Sequence, residues 1–158
     1  MKEEQEVFMR EAIQLSLTKM KEGYGGPFGA VVVRKGEIVA RGYNNVLRSN
    51  DPTAHAEVDA IRKASQALHT PDLSDCELYT SCEPCPMCLG AIYWAKFRKV
   101  YYGNTKHDAA AIGFDDAFIY QQLNKDLSKR AIPMEQLLPS EALEAFKAWK
   151  QKEDKPDY

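Results

Sequence analysis

Two short stretches of the chain carry side chains that bind metals and move protons: His55-Ala56-Glu57 and Pro84-Cys85-Pro86-Met87-Cys88. If Pro86 occupies a helix's first turn, Cys85 lies at its mouth and Cys88 one turn on, on the same face. The helix dipole and free backbone N–H groups favour thiolate there, the form that binds zinc. His55 lies in the first turn of another predicted helix and adds an imidazole. Structural zinc sites usually close with four protein ligands, whereas catalytic sites hold three and keep a position for water. Zinc lowers the pKa of such a water from about 15.7 to about 7. Glu57, at the same helix mouth as His55, is placed to be the general base that shuttles protons.

Each of these residues has a plainer reading. A lone His-x-Glu is usually a surface helix pair, but a Pro-Cys-x-x-Cys about thirty residues on makes the combination specific. Cys82 precedes Cys85 by three residues and competes for a place in the binding pair. It is expected at the end of a strand, where Glu83-Pro84 turns the chain, and reads better as a small packed residue. Cys76 reads as packing, Trp94 as core ahead of pocket lining, and His69 and His107 as surface residues. Of the 4 cysteines, three cluster and none has a distant partner, so metal binding is favoured over a disulfide framework.

These side chains must be held by the elements around them. A helical stretch over 3–21 leans Val7, Phe8, Ala12, Leu15 and Leu17 to one side and stops at Gly23-Tyr24-Gly25-Gly26-Pro27. Ala30–Arg34 and Glu37–Tyr43 read as strands joined at Lys35-Gly36. Residues 44–52 read as a loop, and Asp51-Pro52 as the start of a helix running through Ala54 to Leu68. Strands follow at Glu77–Ser81 and Lys99–Tyr102, with a helix at Pro86–Ala95 between them. A short helix is expected at Phe118–Leu123, a last strand at Ile132–Leu137 and a last helix at Glu141–Lys150. Strands alternating with helices after a hairpin give a mixed sheet with helices on both faces. No repeat or linker divides the chain, so residues 1–158 read as a single domain.

Size and charge narrow the partners. A chain of 158 residues buries roughly 70% of its unfolded surface, enough for a core without staples. Its apolar runs are far short of the roughly 20 residues of a membrane span. The acidic N-terminus lacks an apolar signal region, so a cytoplasmic protein with no membrane partner is expected. A net charge of −2, with basic and acidic residues interleaved, does not make the basic stripe that holds a nucleic-acid backbone.

The two chemical motifs resemble the signature of the zinc deaminases of the cytidine-deaminase fold. The likeness extends over Gly26-Pro27-Phe28-Gly29-Ala30, Asn44-Asn45, Asn50-Asp51-Pro52-Thr53-Ala54 and Cys82-Glu83. It implies an α/β fold: a three-layer α/β/α sandwich around a five-stranded mixed sheet. It also implies that His55, Cys85 and Cys88 bind Zn2+ and that Glu57 is the acid/base. Within that group, Ala111–Tyr120 and the terminal Asp157-Tyr158 look most like the small bacterial guanine deaminases. Those act on a free purine base as dimers that exchange C-terminal segments. That likeness implies that Phe28 stacks on the base and Asn44 binds its polar edge. Asp116 then accepts from ring N–H groups, Ala56 is a further substrate contact, and Tyr158 closes the partner's site. Read alone, Asp115-Asp116 serves nearly as well as a helix cap, and a C-terminal Tyr as a frayed end. The alternatives are a tRNA adenosine deaminase, which shares the zinc motif and hairpin, and a non-catalytic zinc module.

Overall fold

Strands β1 (Gly29–Arg34) and β2 (Glu37–Tyr43) form an antiparallel hairpin in the computed structural model, which describes residues 1–158. Lys35 and Gly36 both take positive φ, 51° and 77°, the backbone handedness that lets a two-residue turn follow the strand twist. β1 pairs antiparallel with β3 (Cys76–Cys82), which pairs parallel with β4 (Lys99–Asn104), giving the order β2-β1-β3-β4. The parallel step needs a crossover, and α4 (Pro86–Ala95) supplies it. The sheet is therefore mixed, as expected, but has four strands instead of five.

The missing strand is Ile132–Leu137, which forms no ladder. Pro133 cannot donate to one, and Ile132 and Leu137 are each 79% exposed. An apolar run describes what side chains avoid; it does not supply the neighbour a strand must pair with.

Helices cover both faces of the sheet. On one, Phe8 of α1 (Lys2–Lys21) packs with Val31, Val33 and Tyr79. The buried line of α1 is Phe8, Ala12 and Ser16, while Val7 and Leu17 are exposed, so the apolar stripe is narrower than the sequence pattern. On the other face, α3 (Ala56–Leu68) and α4 bury Ala56, Ala60, Ala64, Ile92 and Ala95 against Ala30, Val32, Cys76 and Leu78. The alanines of α3 let its backbone come close. Gly42 of β2 completes the approach, since a Cβ there would strike the Ala56 carbonyl oxygen and come within 2.7 Å of the Ala60 methyl. Asp59 fastens the same junction, accepting from the Tyr43 backbone N–H at 3.2 Å.

Two short helices go beyond the elements expected: α2 (Val46–Ser49), within the stretch read as a loop, and α5 (Lys106–Ala111). The second had a readable start, because Thr105 and Asp108 form a reciprocal capping box. Asp51 does not cap α3. It accepts from the backbone N–H and hydroxyl of Thr53 at 2.8 and 2.7 Å, and the cap position falls on His55.

The backbone forms two compact units, Met1–Asp116 and Ala117–Tyr158. The second contains α6 (Ala117–Leu123), a 3₁₀ turn at Leu127–Lys129 and α7 (Pro139–Gln151). Within it, Gln122 accepts from Arg130 Nε and from the Ala131 backbone N–H at 3.0 and 2.7 Å. No helix is long and apolar enough to cross a membrane. Because the α3–β2 approach has no room for a methyl, Gly42→Ala is expected to cost about 1–3 kcal/mol of stability, measured by urea unfolding.

Candidate metal centre and active site

The N-termini of α3 and α4 converge. Each helix begins one residue after an extended cap, His55 (ψ 159°) for α3 and Cys85 (ψ 169°) for α4. Pro86, with no N–H to leave unpaired, occupies the first turn of α4. Cys88 follows one turn later and is fully buried. His55 Nδ1 stands 3.5 Å from the Sγ atoms of both Cys85 and Cys88, and the three donor atoms lie within 4.8 Å of one another.

This donor set fits zinc. With Zn–S near 2.3 Å and Zn–N near 2.0–2.1 Å, a tetrahedron has N···S edges of about 3.6 Å, close to the observed 3.5 Å. Three protein donors match a catalytic centre better than a structural one.

The electrostatics favour anionic sulfur. The Cys88 thiol donates to Cys85, and with the His55 imidazole and a backbone N–H this drives Cys85 far below an ordinary thiol despite burial. Cys88 is pushed the other way, by its bond to Cys85 first, then by burial and the charge of Glu57. The pair thus shares one proton that a cation would displace. His55 is raised, chiefly by its bond to Cys85.

Cys82 differs. Burial raises its thiol to about 11, and its Sγ lies 3.7 Å from the Thr105 carbonyl. Cys76 is likewise raised to about 11 by burial. Both remain protonated thiols packed in the fold.

Glu57, in the first turn of α3, is buried, and its Oε1 accepts from the Thr80 hydroxyl at 2.6 Å. A carboxylate is thus held beside the cluster without belonging to it. Ala56, between His55 and Glu57, is fully buried, and its N–H is among those a helix leaves without an intrahelical partner. Asn44 is buried after β2. Its Oδ1 accepts from the Val46 N–H at 3.1 Å, which leaves the amide NH₂ as a donor. The Asn44 N–H donates to the Phe28 carbonyl at 3.0 Å, tying these two residues together. Asp116, partly buried, closes the first unit; burial raises its carboxyl above the usual range, with the Cys85 charge adding to it. Tyr158 belongs to the second unit, where it is 71% exposed.

Three contributors escaped the sequence reading. Phe114 meets Phe28 edge-on, with centroids 5.0 Å apart at 88°. Gly25 leaves the space Asn44 fills, since any Cβ there would strike the Asn44 Oδ1. Thr80 holds Glu57. Phe114 lies in the Ala111–Tyr120 stretch and Gly25 among the breakers that stop α1, but nothing in spacing says which surface they meet; the Thr80 hydroxyl gives no signal at all. The core reading of Trp94 is overturned, because it lies on α4 with 75% of its surface exposed. Tyr93 beside it and Gly90 one turn earlier are exposed as well, while Ile92 and Ala95 form the buried face of the helix. His69 and His107 are exposed, as expected.

A family model of the cytidine and deoxycytidylate deaminase zinc-binding region matches residues 2–104. A guanine deaminase of Bacillus subtilis strain 168 is 53% identical over 153 residues, which is 97% of this chain and 98% of that protein. The crystal structure of a Bacillus subtilis guanine deaminase superposes with a TM-score of 0.94 at 53% identity, over 97% of this chain and 98% of that one. A tRNA-specific adenosine deaminase of Aquifex aeolicus is 37% identical over 112 residues, 70% of this chain and 74% of that protein.

The ligand assignment separates the cysteines. Cys85→Ser and Cys88→Ser are expected to purify with little zinc by atomic absorption, whereas Cys82→Ser and Cys76→Ser keep the full complement.

Proposed function

The chain belongs to the zinc-binding cytidine and deoxycytidylate deaminase family, and from that premise we propose that it hydrolyses guanine to xanthine and ammonia. The observation that carries this reading is the 53% identity to a guanine deaminase, which runs over 97% of the chain. It continues through the later segments that distinguish free-base enzymes from the wider family. The likeness to the Aquifex aeolicus tRNA deaminase stops at 70% of the chain. A net charge of −2 also offers little to an RNA backbone. We place the reaction in the cytoplasm, as a step of purine breakdown.

Zinc held by His55, Cys85 and Cys88 would make a water ionisable near neutral pH. Glu57 carries one proton of the attacking water to the ring nitrogen beside C2, where it stays, and then the second, from the new C2 hydroxyl, to the departing amine. A C–O bond forms at C2 and a C–N bond breaks, so guanine and water leave as xanthine and ammonia. Phe28 stacks on the base, with Phe114 against it as a wall. Asn44 donates to the polar edge of the purine, and Ala56 offers its backbone N–H. Asp116 accepts from ring N–H groups. A bound base that covers this partly buried carboxylate without offering those donors would leave it an unmet acceptor, which discriminates against such bases.

The assembly we propose is a homodimer whose second units are exchanged, so that Tyr158 closes the partner's pocket. Support comes from that unit's apolar exposure: Leu143, Phe146 and Trp149 of α7 and Tyr158 itself are open to solvent in the single chain. Each chain alone would be left with uncovered apolar surface.

A panel of guanine, adenine, cytosine, nucleosides and tRNA, scored for ammonia, tests the activity. Guanine should dominate, and turnover of tRNA without guanine would reverse the assignment. Glu57→Gln should keep its zinc and lose at least about 10²-fold in kcat, the lower range for a general acid–base. Removing residues 156–158 should cut kcat/KM sharply at unchanged zinc content, and a fully active truncation would free Tyr158 of any role.

A further inference from the structure

Thr80 stands in the middle of β3, and we propose that it is the positioning residue of the proton shuttle. Its hydroxyl fixes one carboxylate oxygen of Glu57 and so aims the other at the reacting atoms. This rests on the deaminase reading, in which Glu57 moves the proton.

The contact is short, 2.6 Å, and joins two buried groups: Thr80 is fully buried and Glu57 is 5% exposed. A hydroxyl donating to a carboxylate in such surroundings makes a charge-assisted bond, about twice as strong as a neutral one. Its proton is single, and the charged acceptor claims it ahead of the Cys82 carbonyl at 3.2 Å.

The mount is rigid. The Thr80 backbone lies between Ala30 of β1 and Tyr102 of β4, paired on both sides. Its branched side chain has few χ1 options on a strand. Glu57, by contrast, sits on a flexible stem at a helix start, with freedom about three side-chain bonds. Clamping Oε1 removes most of that freedom and leaves Oε2 as the oxygen free to meet the reacting atoms.

Residue choice points the same way. On this face of β3 the side chains before and after Thr80 are Leu78 and Cys82, both buried. Valine would fill the position with the same shape and without the cost of burying a hydroxyl. Threonine is explained by Glu57.

The test compares Thr80→Val, which keeps the shape and deletes the donor, with Thr80→Ser, which keeps the donor and deletes a methyl. Each is made in the full-length, zinc-loaded protein and read by kcat and KM for ammonia release, zinc content and thermal unfolding. A packing role predicts that serine is the worse variant. The positioning role predicts the reverse. The Val variant keeps zinc, melting temperature and a KM within threefold, while kcat falls about 10²-fold, the cost of misplacing a catalytic group by about 1 Å. The Ser variant stays within about fivefold in kcat. Val activity within threefold of wild type, or equal losses in Val and Ser, would overturn the proposal. If the Val variant lacks zinc or does not fold, Thr80→Ser against Thr80→Ala, which differ by one oxygen, decides by the same criteria. Turnover of another base in place of guanine would refute the substrate assignment alone, and the comparison then runs on that base. No turnover of any base would overturn both.

Discussion

Two helix N-termini brought face to face repel, because each ends in unpaired N–H groups and the positive end of a dipole. Here α3 and α4 meet in that way, and what makes the meeting tolerable is the anionic sulfur between them. The arrangement works in both directions. The helix ends favour thiolate at Cys85, and the thiolate cancels the field that would drive the helices apart. A cation bound there leaves little net charge in the buried space. The sheet serves this junction: β3 delivers the strand from which Cys85 and Cys88 depart, and β2 carries the glycine on which α3 lies.

The legible part of the site was the part that depends on chain-local geometry. His55 and Glu57 share one helix start, and Cys85 and Cys88 share another, so spacing alone brought each pair together. Proline at the first turn of α4 gave the position of Cys85 almost directly. Apart from the short helix α2, strand and helix identities through residue 104 follow from periodicity and breakers, with shifts of one or two residues at their ends. The choice of Cys85 and Cys88 over Cys82 rests on the Glu83-Pro84 turn that follows the strand, and Cys82 Sγ lies against the Thr105 carbonyl instead of joining the cluster.

What sequence left dark were relations between distant segments. Ile132–Leu137 has the composition of a strand and no ladder, because pairing requires a neighbour that composition cannot name. The sequence points to Asp51 as the cap of α3, but that side chain turns back on Thr53 and His55 takes the position. The difference matters chemically, since occupying the cap position, with its extended backbone, sets the His55 imidazole at the helix mouth. Thr80 is invisible for the opposite reason: a hydroxyl flanked by those of Tyr79 and Ser81 makes no pattern of its own, and its meaning comes only from Glu57, twenty-three positions earlier.

Burial of alanines on the inner faces of α3 and α4 has a further consequence. Ala56, Ala60, Ala64, Ile92 and Ala95 lock both helices to the sheet through contacts that involve none of the three donor atoms. The ion is therefore not the glue of this fold, in contrast to small zinc modules that stay unfolded without their metal. Maturation can run in two stages, polypeptide first and metallation afterwards. In a cell short of zinc, such a protein would accumulate intact but idle, a reserve awaiting its ion instead of a substrate for proteolysis.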